Sequence, residues 1–363
     1  MKPKEQIENL SAYQPGKSMD EVKRQYNLQQ VIKLASNENP FGFSPKVKQA
    51  LMEGLNELHI YPDGANRKLR AALAEKLEVS EDQLIFGMGS DEIISMIART
   101  FLEKGTKTIM ATPTFPQYRS NAVTEGATII EVPLKEGKHD LETMKSEITK
   151  ETKVIWVCNP NNPSGTFVSE KELVQFLGDV PEDILVVLDE AYYEYATDPT
   201  YPNSVKLLDR YPNLIVLRTF SKIYGLAALR IGYGIAKANI IDWLNRVREP
   251  FNNTSLSQIA ALAALSDQEF IEECKVKNAN GLKQLYQGFE KLGLSYYPSQ
   301  GNFVLVDVNR PAGPIFQKLL ERGIIVRSGV ALGFPTGLRI TVGNSEQNEL
   351  VLQALEKVLN ESV

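Results

Sequence analysis

The sequence predicts an α/β fold in two parts: a large domain built on a mostly parallel sheet, then a smaller α+β domain. From about residue 80, short apolar runs end in polar or Gly/Pro clusters, with helical patterns between several of them. After Pro298 the pattern changes to three apolar runs that alternate with two helices. A chain of 363 residues is also too long for one small core. Pattern and length therefore both indicate two lobes.

Six apolar runs are the candidate strands of the large sheet. They are rich in β-branched residues and lack alternation, which is typical of strands buried on both faces of a parallel sheet. Three of them recur at a spacing of about thirty residues, as βαβ units do. The runs are LIFGMG (84–89), TIMATP (108–113), VIWVCNP (154–160), ILVVLDE (184–190), LIVLRTF (214–220) and IGYGIA (231–236).

The second lobe follows a long helical stretch at 256–292. Its candidate strands are FVLVDV (303–308), IIVRSG (324–329) and LRITVG (338–343). We therefore expect three parts along the chain: an N-terminal arm at 1–30, a large domain at 31–250 and a small C-terminal domain at 251–363.

Composition excludes several classes of function. The net charge is −5 and no basic block is present, which argues against a nucleic-acid surface. Cys158, Cys274, His59 and His139 are isolated from one another, so we expect no disulfide, no histidine-based triad and no metal site, although a carboxylate-bound magnesium site stays open. No apolar run reaches membrane-spanning length and no signal peptide is recognisable, so we expect a cytoplasmic protein that does not bind membranes.

Polar side chains follow three neighbouring runs at the point where each predicted strand ends. Asn162 follows the third run, Asp189 and Tyr192 follow the fourth, and Ser221 and Lys222 follow the fifth. Ligands of open α/β sheets bind at the carboxyl ends of the strands. If these strands are parallel, the five side chains crowd one edge of the sheet.

Lys222 and Asp189 together suggest a cofactor. A lysine amine in a crowded interior site can be partly neutral and add to a carbonyl group. A carboxylate at the end of a buried strand can stabilise a protonated ring nitrogen. These are the two protein groups that pyridoxal phosphate requires. An ordinary ion pair is the alternative interpretation of the two residues.

The cofactor's phosphate would need an anion site, and the segment around Gly89 offers one. A flexible Gly87–Met88–Gly89 turn leads into a helix at Ser90, and helix N-termini bind phosphate. The alternative is ordinary capping by Ser90. Arg230 could add a bidentate contact to the phosphate, or it could be a surface arginine.

Eight segments in order resemble one known family, the fold-type I pyridoxal-phosphate aminotransferases, with its histidinol-phosphate branch as the nearest match. The resemblance extends over nearly the full length. The segments are SNENPFG (36–42), YPDGANRKLRAALA (61–74), GMGSDEII (87–94), PTFPQY (113–118), CNPNNPSG (158–165), LDEAYYEY (188–195), TFSKIYGLAALRIGY (219–233) and GLRITVG (337–343).

The resemblance implies a role for each cofactor-binding residue. Lys222 would carry pyridoxal 5'-phosphate as a Schiff base and act as general acid and base, while Asp189 would pair with the pyridine nitrogen. Tyr192 and Asn162 would bind the ring's 3-oxygen. Phe115, where the branch often has Tyr, would stack on the ring. The residues implied to surround the phosphate are Gly89, Ser90, Asp91, Thr219, Ser221 and Arg230.

The resemblance also implies a homodimer and a substrate site. Tyr61 would reach the phosphate of the partner subunit, so the active sites would be composite. Arg339 would bind the anionic end of the substrate, with Arg327 beside it. Tyr13 and Asn37 would also face the substrate.

Four functions stay open at this point. The first is transamination between L-histidinol phosphate and 2-oxoglutarate in histidine synthesis. The second is transamination of aromatic amino acids by the same machinery. The third is a pyridoxal-phosphate decarboxylase of a phosphorylated amino acid, and the fourth is a non-catalytic binding protein on the same fold. We favour the first.

Overall fold

The structure of the protein is a computed structural model, which describes residues 1–8, 10, 12 and 16–361. Its strands follow the predicted runs closely and add a few short ones. In chain order they are β1 (Ile32–Lys33), β2 (Leu84–Gly87), β3 (Lys107–Thr112), β4 (Thr128–Pro133), β5 (Thr152–Cys158), β6 (Leu185–Asp189), β7 (Leu214–Thr219), β8 (Gly232–Ile235), β9 (Ser295–Tyr296), β10 (Phe303–Asp307), β11 (Ile324–Ile325), β12 (Arg327–Ser328) and β13 (Gly337–Thr341).

The helices lie between these strands and at both ends of the chain. In chain order they are α1 (Glu5–Glu8), α2 (Met19–Tyr26), α3 (Pro45–Gly54), α4 (Arg67–Leu77), α5 (Ser90–Phe101), α6 (Pro116–Glu125), α7 (Leu141–Ser146), α8 (Glu170–Asp179), α9 (Ser204–Leu207), α10 (Ala238–Val247), α11 (Ser255–Leu265), α12 (Gln268–Lys291), α13 (Ala312–Glu321) and α14 (Ser345–Asn360).

A seven-stranded sheet forms the centre of the large domain, in the order β2-β8-β7-β6-β5-β3-β4. Neighbouring strands are parallel except where β8 pairs with β2 and β7, both antiparallel. Successive residues of β5 point to opposite faces: Trp156 joins the core under α5, α6 and α10, whereas Val157 joins the core under α4, α7 and α8. Helices therefore cover both faces, and the predicted mostly parallel α/β fold is confirmed.

The smaller sheet is antiparallel, with the order β12-β13-β10-β9. Apolar side chains of α12, α13 and α14 pack on it, among them Leu285, Leu319 and Leu355. This is the smaller α+β unit that the sequence predicts. None of the described helices has both the length and the apolar character that crossing a bilayer requires.

The structure departs from the predicted elements in two places. The edge strand β4 was not among the predicted runs; most of its residues keep solvent contact, so it lacks a continuous apolar signal. The helical stretch at 256–292 is two helices, because Asp267 accepts a hydrogen bond from the Phe270 amide and thereby begins α12.

Two contacts bear on the predicted domain boundaries, which stay a prediction. β1, near the beginning of the predicted large domain, pairs in parallel with β11 of the small one. α11, near the beginning of the predicted small domain, packs against α3 and α4. β1 therefore contacts the small lobe and α11 contacts the large one, each across a predicted boundary.

Candidate active site

The carboxyl ends of β5, β6 and β7 bring the predicted polar residues to one edge of the large sheet. Cys158 at the end of β5 lies opposite Asp189, which ends β6. Beyond these ends, Asn162 Nδ2 lies 3.4 Å from the hydroxyl of Tyr192, and Lys222 Nζ lies 5.6 Å from the centre of the Tyr192 ring. The structure therefore assembles these residues, as parallel pairing requires.

Tyr192 is buried, with its hydroxyl held by two amides. Asn37 Nδ2 donates to it at 3.0 Å and Asn162 Nδ2 at 3.4 Å. Burial raises the pKa of Tyr192, so the phenol keeps its proton. Since both neighbouring amides act as donors, the phenolic proton is available for an acceptor in the site.

Lys222 has the properties of a nucleophilic amine. Burial lowers its pKa to about 8, and the positive charge of Arg339 acts in the same direction. Its Nζ makes one long contact of 3.4 Å with the carbonyl oxygen of Ser36. A substantial neutral fraction near neutral pH is what a lysine needs in order to add to a carbonyl group.

Asp189 offers one carboxylate oxygen to the site. Its Oδ2 accepts a hydrogen bond of 2.6 Å from the hydroxyl of Tyr118. Its Oδ1 is buried and has no hydrogen-bond partner among the residues that the structure describes. Buried polar atoms are rarely left without a partner, so Oδ1 fits a donor brought by a ligand, such as a protonated ring nitrogen.

An anion cradle forms where β2 meets α5. Gly89 is at the N-cap position with φ of 75° and has no side chain to cap the helix, and Ser90 is the first helical residue. The alternative in which Ser90 caps α5 is therefore wrong. A side chain at Gly232 would meet the Ser90 amide at 2.6 Å, so glycine is required for this close approach.

Two residues of the segment after β7 complete the cradle. Arg230 Nη1 donates to Ser221 Oγ at 3.2 Å, and the Ser221 amide donates to Thr219 Oγ1 at 3.1 Å. Arg230 Nη2 lies 3.5 Å from Asp91 Oδ2, while burial raises the pKa of Asp91. The structure thus brings together helix amides, a hydroxyl and a guanidinium, which suit a phosphate.

Phe115 lies next to Tyr118, the residue that contacts the Asp189 carboxylate. It immediately precedes α6, and its ring packs edge-on against Tyr118 at 5.6 Å. Because Tyr118 also contacts Asp189, Tyr118 links Phe115 to the carboxylate at the end of β6.

Three predicted substrate residues, Asn37, Arg327 and Arg339, lie on the small-domain side of the same site. Buried Arg339 donates from Nη1 to Asn162 Oδ1 at 2.7 Å and from Nη2 to the Ala35 carbonyl at 2.6 Å. Arg327 is its direct partner across β12 and β13. Asn37 adopts φ of 55°, which Asn tolerates better than most residues, and its amide donates to Thr341 Oγ1.

One predicted residue is not brought into this group, and the position of another is not described. Tyr13 lies outside the described residues. Tyr61 stacks on Phe251 of its own chain at 4.8 Å, and 78% of it stays exposed. Phe251 precedes Asn252 and Asn253, whose amides donate to the carbonyls of Phe86 and Gly87 beside the cradle.

Tyr118 is the functional candidate that sequence reasoning missed. It is the third residue of α6, and Phe115 immediately precedes that helix. Closeness to Phe115 in the chain is the one sequence signal for Tyr118, since a buried tyrosine in a covering helix has no motif of its own.

Comparison with known proteins gives full-length matches. Residues 29–355 match the family model "Aminotransferase class I and II". The chain is 59% identical over 359 residues to a histidinol-phosphate aminotransferase of Brevibacillus brevis, covering 99% of both chains. It is 55% identical over 360 residues to the histidinol-phosphate aminotransferase of Bacillus subtilis, covering 99% of this chain and all of that protein.

A solved structure agrees with these relatives. Histidinol-phosphate aminotransferase from Sinorhizobium meliloti, in complex with pyridoxal-5'-phosphate, superposes with a TM-score of 0.90 at 30% sequence identity. The match covers 98% of this chain and 97% of that one.

Proposed function

The chain belongs to the aminotransferase class I and II family, and we propose that it transfers the amino group of L-histidinol phosphate to 2-oxoglutarate with pyridoxal phosphate as cofactor. The full-length relatives support this choice of substrate. Proteins that are 55–59% identical to this chain are histidinol-phosphate aminotransferases. The reaction would serve histidine biosynthesis in the cytoplasm.

The residues at the sheet edge fit the cofactor. We assign Lys222 as the residue that holds pyridoxal phosphate covalently, Asp189 Oδ1 as the acceptor for its ring nitrogen, and Tyr192 with Asn162 as donors to its 3-oxygen. Phe115 covers the ring. The phosphate cradle consists of Gly89, Ser90, Asp91, Thr219, Ser221 and Arg230. When bound, the cofactor supplies an electron sink for the carbanion at the substrate carbon.

Lys222 carries the proton transfers. With cofactor and substrate bound, the Lys222 amine would remove a proton from the substrate carbon as general base and then donate it as general acid to complete the proton shift. A pKa of about 8 lets this nitrogen hold or release the proton near neutral pH. Tyr192 and Asp189 keep their own protonation states and orient the ring beside that amine.

The substrate's anionic end would bind at Arg339 and Arg327. A guanidinium donates paired hydrogen bonds to a carboxylate or to a phosphate, so one pocket can serve glutamate and histidinol phosphate. Arg339 donates hydrogen bonds to Asn162 and to the Ala35 carbonyl, and these bonds fix the orientation of its side chain. Asn37 and Tyr13 are assigned to the same pocket.

We propose a homodimer with composite active sites. Tyr61 is exposed, and it closely follows in the chain four apolar residues that are each more than half exposed, Met52, Leu55, Leu58 and Ile60. Exposed apolar patches of this kind mark interaction surfaces. A second copy on this surface would cover the patch and bring Tyr61 to the partner's phosphate cradle.

A panel of half-reactions tests the substrate. Holoenzyme is mixed with L-histidinol phosphate, L-glutamate, L-phenylalanine or L-tyrosine, and conversion of the cofactor is followed by absorbance. We expect histidinol phosphate and glutamate to react fastest. A wide preference for phenylalanine or tyrosine would assign the enzyme to the aromatic aminotransferases, and release of carbon dioxide without consumption of glutamate would assign it to the decarboxylases.

A further inference from the structure

Tyr118 supports the carboxylate that faces the cofactor ring. It is fully buried on α6, and its hydroxyl lies 2.6 Å from Asp189 Oδ2. Asp189 Oδ1 has no hydrogen-bond partner among the described residues. The two oxygens of one carboxylate are therefore divided: the protein holds Oδ2, and Oδ1 is left for a ligand.

The hydroxyl of Tyr118 is the donor in this contact, because an ionised carboxylate only accepts hydrogen bonds. Burial, reinforced by the negative charge of Asp189, raises the pKa of Tyr118 well above its usual range, so the phenol keeps its proton. Burial also raises the pKa of Asp189 to about 6, and the hydrogen bond from Tyr118 opposes this rise. Tyr118 thus favours the ionised carboxylate.

Packing holds the Tyr118 ring in place. Trp156 stacks on it with ring centres 4.9 Å apart and an interplanar angle of 14°. Trp156 Nε1 in turn donates to Thr108 Oγ1 at 2.7 Å, and Thr108 Oγ1 donates to the Val154 carbonyl at 2.9 Å. Because the hydroxyl is carried on a clamped ring, its direction toward Asp189 is fixed by β3 and β5.

We propose that Tyr118 is a positioning residue, which holds Asp189 ionised and turns its open oxygen toward the ring nitrogen of bound pyridoxal phosphate. An ionised Asp189 leaves the shared proton on the ring nitrogen, whereas a more basic Asp189 would take that proton. The inference rests on the proposed cofactor roles of Lys222 and Asp189, and it does not depend on which amino acid is the donor.

The test is Tyr118→Phe, which deletes the hydroxyl and keeps the ring that Trp156 stacks on. Holoenzyme is prepared with pyridoxal phosphate labelled with ¹⁵N in the ring, and the NMR shift of that nitrogen reports its protonation. We expect a protonated nitrogen in the wild type and a shift toward the unprotonated form in Tyr118→Phe. The Kd for the cofactor should rise about tenfold, as loss of a hydrogen bond to a charged group implies.

Tyr211→Phe is the matched control. Tyr211 is also buried, but its hydroxyl donates to the Val174 carbonyl at 3.1 Å, and it lies before β7, at the opposite edge of the sheet from the site. Both variants lose one buried tyrosine hydroxyl. Tyr211→Phe should change thermal unfolding and leave the ¹⁵N shift and the cofactor Kd as in the wild type.

The outcomes separate this inference from the proposed function. A wild-type ¹⁵N shift in folded Tyr118→Phe, whatever its thermal stability, would overturn the positioning role while leaving the aminotransferase intact. The measurement needs only bound cofactor, so failure of the histidinol-phosphate assignment would leave the test valid. A wild-type enzyme whose ring nitrogen is unprotonated would overturn the inference at once, since there would be no proton for Asp189 to stabilise.

Discussion

Arg327 and Arg339 lie directly opposite each other on the antiparallel strands β12 and β13. Directly opposed residues of such a pair project from the same face of the sheet. Two cations therefore lie side by side, although eleven residues that include Gly, Phe and Pro separate them in the chain. Buried Arg339 is fixed by Asn162, whereas Arg327 keeps part of its surface exposed.

The positions of the two arginines predict that their replacement affects the KM values of the two substrates differently. Arg339→Lys should raise KM about tenfold for both glutamate and histidinol phosphate, because a point charge replaces a bidentate group. Arg327→Ala should raise KM more for histidinol phosphate than for glutamate, since the phosphate carries the larger charge. Steady-state kinetics with each substrate varied in turn gives both values.

Arg310→Ala is the control for these variants. Arg310 belongs to the same lobe and is exposed, and its Nη1 donates only to the Leu359 carbonyl among its described contacts. It should leave both KM values unchanged. Equal effects of Arg327→Ala on the two substrates would show that Arg327 does not distinguish phosphate from carboxylate.

Asp189→Ala should slow the half-reaction by about two orders of magnitude or more, a loss typical of removing one stabilising electrostatic contact. The ring nitrogen would lose its acceptor, and the cofactor would stabilise the carbanion poorly. Stopped-flow absorbance measures the rate. Asp183→Ala, an exposed carboxylate before the beginning of β6, is the control. A folded Asp189→Ala enzyme with a wild-type half-reaction would reduce Asp189 to a structural residue.

Composite sites predict recovery of activity in hybrid dimers. A Lys222→Ala subunit and a Tyr61→Ala subunit, each inactive alone, should form hybrids with one intact site. Random exchange makes about half of the dimers hybrid, so mixing should restore about a quarter of wild-type activity. Lys222→Ala mixed with Asp189→Ala should restore none, because both residues act within one subunit. No recovery despite demonstrated exchange would argue against composite sites.

The lowered pKa of Lys222 predicts how cofactor capture depends on pH. Only the neutral amine reacts, and a pKa of about 8 instead of 10.5 means that the neutral form accumulates as pH rises toward 8. The rate at which cofactor-free enzyme binds pyridoxal phosphate covalently should therefore rise up to about pH 8 and level off above about pH 9.

Stopped-flow absorbance across this range measures that rate. The same titration is carried out with a lysine acetylated on its α-amine, so that its ε-amine reacts with the cofactor. This comparison corrects for the ionisation of the cofactor itself. A corrected rate that still climbs tenfold per pH unit above about pH 9 would mean that Lys222 titrates like an ordinary lysine.

The sequence predicts the central strands well because they are fully buried. β5, β6 and β7 appear as continuous apolar runs, and the polar residues after them mark the edge of the sheet. β4 is not predicted from the sequence, because an exposed edge strand has no continuous apolar run. The antiparallel direction of β8 is not predicted either, since an apolar run does not indicate the direction of the neighbouring strands.

The contacts between residues of the site are harder to predict than the identity of those residues. Motifs name Asp189 and Arg339, but the hydrogen bond from Tyr118 depends on how α6 packs over β5, and the pairing of Arg327 with Arg339 depends on strand register. Neither relationship has a fixed spacing in the chain. Long-range packing therefore contributes the part of the site that local sequence patterns leave undetermined.

The covalent bond between Lys222 and the cofactor is the central feature of the proposed site, and one measurement tests it most directly. Borohydride reduction of the holoenzyme fixes the cofactor on the lysine that holds it, and mass spectrometry of a tryptic digest then locates the label. Because a modified lysine resists trypsin, we expect a labelled peptide TFSKIYGLAALR (219–230). A label on another lysine, or an unmodified Lys222 in fully active enzyme, would contradict the assignment of the catalytic site.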